Sequence, residues 1–146
     1  MLLRNNNANK LKGMLFGFLV IVIIFFLFDF SMQKVAEEKD GYTKSNVWAY
    51  YLYTEKDIRS APKGDVYYYF TFIAQDGGQS RESSIVYSDD AVLPEVKKYL
   101  ITLGYKVSAH DGLSEKWTKK DEVLPYFYIS IDKDNHTLIL SKVSFR

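Results

Sequence analysis

Residues 66–75 read VYYYFTFIAQ, a run of aromatic and β-branched side chains that predicts a strand. Asp76-Gly77-Gly78 follows. Glycine there supplies the positive φ of a tight hairpin turn, so residues 79–87 should return antiparallel.

Downstream, Asp89 and Asp90 are placed to cap a helix by accepting bonds from its free N–H groups. Pro94 fits only in a first turn, which supports a start near Asp90. Val92, Val96, Tyr99, Leu100 and Leu103 recur at helical spacing, and Gly104 reads as the C′ residue. Strand patterns then resume at 105–109, 114–118 around Trp117, and 126–132. In the last of these Phe127, Ile129 and Ile131 share one face. Residues 133–136 read as a turn, and 137–145 as the returning strand.

Upstream, residues 47–54 (VWAYYLYT) read as a further strand, and 57–65, with Pro62 and Gly64, as a loop. The expected class is α+β. A mostly antiparallel sheet carries one packed helix, in a domain spanning residues 46–146.

Residues 14–28 (MLFGFLVIVIIFFLF) are an unbroken apolar run. Taken as 13–32 it reaches the roughly twenty residues a helix needs to cross a bilayer. A cleaved signal would need small residues at the last position and two before it. Lys34 spoils a site at Ala36, and Asp29 one at Ser31, so the expectation is a retained anchor. Arg4, Lys10 and Lys12 precede the span with no acid among them, whereas its far flank is mixed in sign. The positive-inside rule then leaves residues 1–12 as a short cytoplasmic tail and exports the remainder to a periplasm, cell exterior or lumen. Residues 33–45 read as a polar stalk. Gly13 and Gly17 form a Gly-x-x-x-Gly pair, a candidate helix–helix contact.

Composition narrows the chemistry. There is no cysteine, which removes disulfides, thiol nucleophiles and thiolate metal sites. A net charge of +1, with the positive excess ahead of the span, argues against nucleic acid. His110-Asp111-Gly112 and His136 read as loop and turn residues, without the spacing of a zinc site. Asp132-Lys133-Asp134 opens like a calcium loop but lacks the later glycine and glutamate. No phosphate cradle or nucleophile elbow occurs. Asn135-His136-Thr137 is a glycosylation sequon that matters only in a eukaryotic lumen. The expectation is no catalysis, no cofactor and no metal.

Tyrosine is the compositional anomaly, with all 12 copies lying beyond the apolar run. Read as strands, residues 47–54 and 66–75 carry large rings on both faces. Trp48, Tyr50, Tyr67 and Tyr69 are therefore candidate partner-binding residues, since tyrosine joins an apolar body to a polar tip. The layout resembles that of envelope immunity or inhibitor proteins, which neutralise a toxin or enzyme, although no motif accompanies the likeness. The alternative is a structural or assembly subunit of a secretion or pilus-type complex. In that case Gly13, Gly17 and Asp29 would meet neighbouring helices.

Overall fold

The computed structural model describes residues 4–74, 80–120 and 122–145, with side chains from Lys10 onward. The chain divides into two compact units, Met1–Lys34 and Val35–Arg146.

The first unit is a single helix, α1 (Arg4–Ala36), whose last residues enter the second unit. Its stretch Lys10–Ala36 is long and apolar enough to cross a membrane. Leu15, Phe18, Ile21, Phe25 and Phe26 lie exposed along it. A Cβ built on Gly13 or Gly17 meets nothing within 4 Å.

The second unit is an α+β domain. Its six strands are β1 (Tyr68–Ile73), β2 (Arg81–Tyr87), β3 (Lys106–Asp111), β4 (Ser114–Thr118), β5 (Tyr126–Asp132) and β6 (Thr137–Ser144). They form one sheet in the order β1-β2-β6-β5-β4-β3, and every neighbouring pair is antiparallel. The chain's last strand thus lies in the middle, joining the β1–β2 hairpin to the β3–β4–β5 meander. The Asp76-Gly77-Gly78 turn falls outside the described residues, but the pairing of Phe70 with Ile85 and of Thr71 with Ser84 is the return that turn predicts.

Three short helices cover one side of the sheet: α2 (Val47–Tyr53), α3 (Lys56–Ser60) and α4 (Leu93–Thr102). Ala49, Ile58, Val96 and Leu100 from these helices join Phe70, Ile85, Leu140, Ile129 and Trp117 from the strands in one buried cluster. Helix α4 matches its sequence signals. Asp89 accepts from the Ala91 N–H at 2.8 Å ahead of a 3₁₀ turn over Asp90–Val92. Gly104, at φ +86°, closes the helix, with its N–H on Ile101 O and the Tyr105 N–H on Leu100 O. This is the doubled bond of a Schellman end.

Two expectations are overturned. Residues 47–54 form helix α2, not a strand. A short run of apolar residues carries no clear period, and here Ala49, Tyr50 and Tyr53 fall on one helical side and pack inward. The outer edge of β1, where such a strand would pair, is occupied by Tyr42 instead. Tyr42 donates its N–H to Phe70 O at 2.8 Å and accepts from Phe70 N–H at 2.7 Å. The region 57–65 is likewise not all loop, since α3 occupies its start and buries Ile58. Two strands therefore precede α4 instead of three, and three helices cover the sheet instead of one. Residues 33–45, expected as a stalk, place Ala36 and Tyr42 in the domain core.

Buried tyrosines fasten this layer. The Tyr87 hydroxyl donates to Pro62 O and the Tyr99 hydroxyl to Asp57 O, each at 2.7 Å. Their apolar bodies fill the core while the tips satisfy loop carbonyls.

Candidate functional site

Successive side chains of a strand point to opposite faces. The residues alternating with the core therefore form a second face, to which none of the three helices contributes buried residues. The strand register lays that face out in rows. One row runs Tyr69, Val86, Ile139, Ser130 and Ser114. The next runs Thr71, Ser84, Ser141, Tyr128 and Lys116, and a third runs Ile73, Glu82, Val143 and Tyr126.

Strands β2 and β6 carry Ser84, Val86, Ser141 and Val143, all buried although they lie outside the core cluster, together with the half-buried Glu82 and Ile139. The strands on either side carry Tyr69 and Ile73 on β1 and Tyr126 and Tyr128 on β5. Tyr69 on one side and Tyr126 and Tyr128 on the other thus flank a stretch two strands wide, lowest at Ser84 and Ser141. With strands about 4.8 Å apart, the two walls are about 14 Å from each other. The floor is tied together by a 2.8 Å hydrogen bond between the hydroxyls of Ser84 and Ser141. On the β5 wall the rings of Tyr126 and Tyr128 meet edge to face at 5.4 Å, and Lys116 Nζ lies 4.1 Å from the centre of the Tyr126 ring. The result is a shallow, aromatic-walled trough with a hydroxyl-lined centre.

Of the four residues singled out from sequence, two belong to this face. Tyr69 points onto it from β1, and Tyr67, just ahead of the strand and 66% exposed, stands beside it with ring centres 6.3 Å apart. Trp48 and Tyr50 lie elsewhere, because α2 is a helix on the opposite side of the sheet. Tyr50 packs inward against Phe70 at 5.2 Å, and Trp48 points outward, 61% exposed. The four residues do not make one surface. Tyr126 and Tyr128 were not singled out, although their alternation with Phe127 and Ile129 already assigned them to the outer face.

Three polar clusters lie on the helix side. Lys142 Nζ, on β6, reaches Asp57 Oδ2 at 2.6 Å and Glu55 Oε2 at 3.7 Å, and Glu55 also pairs with Arg81 and accepts from Ser144. This network fastens α3 to β2 and β6. At the far end of α4, Glu115 accepts from Lys97 at 2.7 Å and from the Trp117 indole at 3.2 Å. It borders a cavity of about 140 Å³ lined by Leu93, Leu113, Ile129 and Ile131. His110 lies 3.9 Å from Glu115, so its carboxylate neighbour is not Asp111. In the third cluster Lys63 Nζ donates to Ile58 O at 3.2 Å, between the rings of Tyr68 and Phe70. Burial, with Lys44 nearby, lowers its amine from 10.5 to about 8.

His136 sits in the exposed β5–β6 turn at φ 53°. In that turn Asp132 accepts from Asn135 and from the Asp134 N–H, bonds that hold its carboxyl below the usual range. Among the described residues no three His, Asp or Glu side chains are grouped to hold a metal ion. Comparison with protein-family models, with curated proteins and with solved structures returns no match for this chain.

Proposed function

We propose that this chain is a single-pass membrane protein whose domain binds a protein partner outside the cytoplasm, across the open face of its sheet. The trough carries the reading. Tyr69 on β1 and Tyr126 and Tyr128 on β5 flank the small residues Ser84 and Ser141, and rings set on either side of a hydroxyl-lined stretch suit contact with a partner. Tyrosine is enriched in recognition surfaces because it offers large contact area with few rotatable bonds.

The anchoring half of the proposal rests on the span 13–32, the absence of a small-residue cleavage site, and the basic residues Arg4, Lys10 and Lys12 ahead of it. On this reading the N-terminus is cytoplasmic and the domain lies in the periplasm or cell exterior. In its most specific form the protein is an envelope immunity or inhibitor protein, occupying a toxin or enzyme by surface complementarity and performing no catalysis itself.

The test is a photocrosslinker introduced at Tyr69 or Tyr128 in the full chain, followed by recovery from native membranes. One stoichiometric exported protein, crosslinked from both positions but not from the exposed turn residue Asn135, is the expected result. Crosslinks from Gly13 or Gly17 to several membrane subunits, with none from Tyr69 or Tyr128, would overturn it in favour of an assembly component.

A further inference from the structure

Strand β3 is the last strand at one side of the sheet, and among the described residues no further strand lies beyond it. All six of its residues, Lys106–Asp111, are exposed. The outer strand at the other side, β1, has its edge bridged by Tyr42. An edge strand offers its unpaired N–H and C=O groups to any chain able to lie alongside, and charges or a bulge commonly guard it. Strand β3 has both devices, and both suit one occupant.

The charges stand at opposite ends, Lys106 first and Asp111 last. A second copy of β3 lying antiparallel, residue for residue, sets Lys106 against the copy's Asp111 and Asp111 against the copy's Lys106. Opposite charges then meet at both ends, a favourable cross-strand pairing. The bulge makes the faces agree. Pairing with β4 shifts between Val107 and Ala109, which leaves Ser108 as the extra residue, its hydroxyl donating to Lys116 O at 3.2 Å. In a regular strand, residues five apart point to opposite faces. With the extra residue, Lys106 and Asp111 share the face of their partners Thr118 and Ser114, while Val107 and His110 share that of Trp117 and Glu115. The strand is therefore self-complementary in charge and in facing, as a two-fold contact requires.

A groove of about 380 Å³ lies at the start of β3, lined by Ile101, Tyr105, Val107 and Trp117. The antiparallel register carries the copy's hairpin tip, Gly112 and the exposed Leu113, past Lys106 to Tyr105 and Gly104, at the mouth of that groove. We infer that two copies of this chain pair through β3, antiparallel about a two-fold axis level with the Ser108–Ala109 peptide, and join their sheets into one. This goes beyond the partner-binding reading and does not depend on it. An axis perpendicular to the joined sheet leaves both outer faces on the same side, so the pair presents its two troughs together.

The test uses the full chain in native membranes, with different tags on two co-expressed copies. The chain has no cysteine, so an introduced pair reports alone. Lys106→Cys on one copy and Asp111→Cys on the other should form a disulfide on mild oxidation, because directly opposed residues lie about 5 Å apart. Lys106→Cys on both copies should not, since those positions are about 17 Å apart along the strands. Lys106→Glu on both copies, or Asp111→Lys on both, should cut co-capture of the second tag by about five-fold or more, through like charges at each end. Mixing one variant with the other should restore it, because opposite charges again meet at both ends. That restoration also shows that each variant is folded.

Co-capture indifferent to either charge reversal but lost in Gly17→Leu would overturn the inference in favour of contact between apolar helices. A wild-type chain that captures no second copy, or a mixed pair that stays apart, would overturn it outright.

Discussion

Lys142 Nζ lies 2.6 Å from Asp57 Oδ2, a contact that joins the last strand to helix α3 across 85 residues of sequence. Lys142 is nearly buried, so its charge depends on that carboxylate and on Glu55 behind it. Removing one partner of a buried pair costs more than the pair contributes, because the other charge is stranded. Asp57 remains partly open to solvent, which moderates the effect. Asp57→Ala should lower stability by about 1–3 kcal/mol in chemical denaturation. Lys142→Met should cost less, because Glu55 keeps Arg81 and Asp57 can be hydrated.

Gly41 and Gly104 both have positive φ, at +68° and +86°, yet they should respond differently to alanine. At Gly104 a new Cβ finds only Lys119 Cε at 3.8 Å. The cost there is left-handed backbone strain, about 1–2 kcal/mol. At Gly41 a Cβ would also come within 2.5 Å of Phe70 O and strike the Tyr69 ring. Gly41→Ala should therefore destabilise by clearly more than Gly104→Ala, and should release the Tyr42–Phe70 bridge, read as faster amide exchange at Tyr42.

Alkaline pH should act in two opposed stages. The Lys63 amine falls from 10.5 to about 8 on folding. Between those values the unfolded chain holds a proton that the folded chain has lost, so stability rises with pH. Burial raises the Tyr42 and Tyr99 phenols from 10.0 to about 12 and pushes Tyr87 upward as well. Above pH 10 the unfolded chain ionises first, and stability falls. Denaturation midpoints should therefore climb from pH 8 and turn down beyond pH 10. Lys63→Met should abolish the climb, and Tyr42→Phe should soften the fall.

The trough predicts a separation of binding from stability. Tyr69→Ala or Tyr128→Ala should weaken partner capture tenfold or more, about 1.4 kcal/mol, with little change in melting temperature. Ser84→Ala should do the reverse, costing about 1 kcal/mol of stability through the lost Ser84–Ser141 bond. Titrating the recovered partner against each variant separates the two effects.

The sequence was informative where local chemistry and tertiary demand agree. Asp89, Pro94 and Gly104 mark the bounds of α4 because caps and helix ends have their own residue preferences. The alternation at 126–132 fixed which side of β5 faces the core. It was misleading at 47–54, where aromatic residues suit strands by propensity. The edge of β1 that such a strand would need is already taken by Tyr42, bonded to Phe70. The trough was half legible. Tyr67 and Tyr69 stood out as large rings, but the significance of Ser84 and Ser141 lies in being small beside them. That relation appears only once the order β1-β2-β6-β5 is known, because neighbours in the sheet are far apart in the chain.

The central position of β6 has a consequence for biosynthesis. Until residues 137–144 have been translated, the β1–β2 hairpin and the β3–β4–β5 meander have no strand to join them, and the two sides of the trough are not yet brought together. The apolar segment precedes every strand of the sheet, so on the proposed anchoring it inserts before the sheet closes. The nascent domain therefore keeps its aromatic strands uncovered until its last strand arrives.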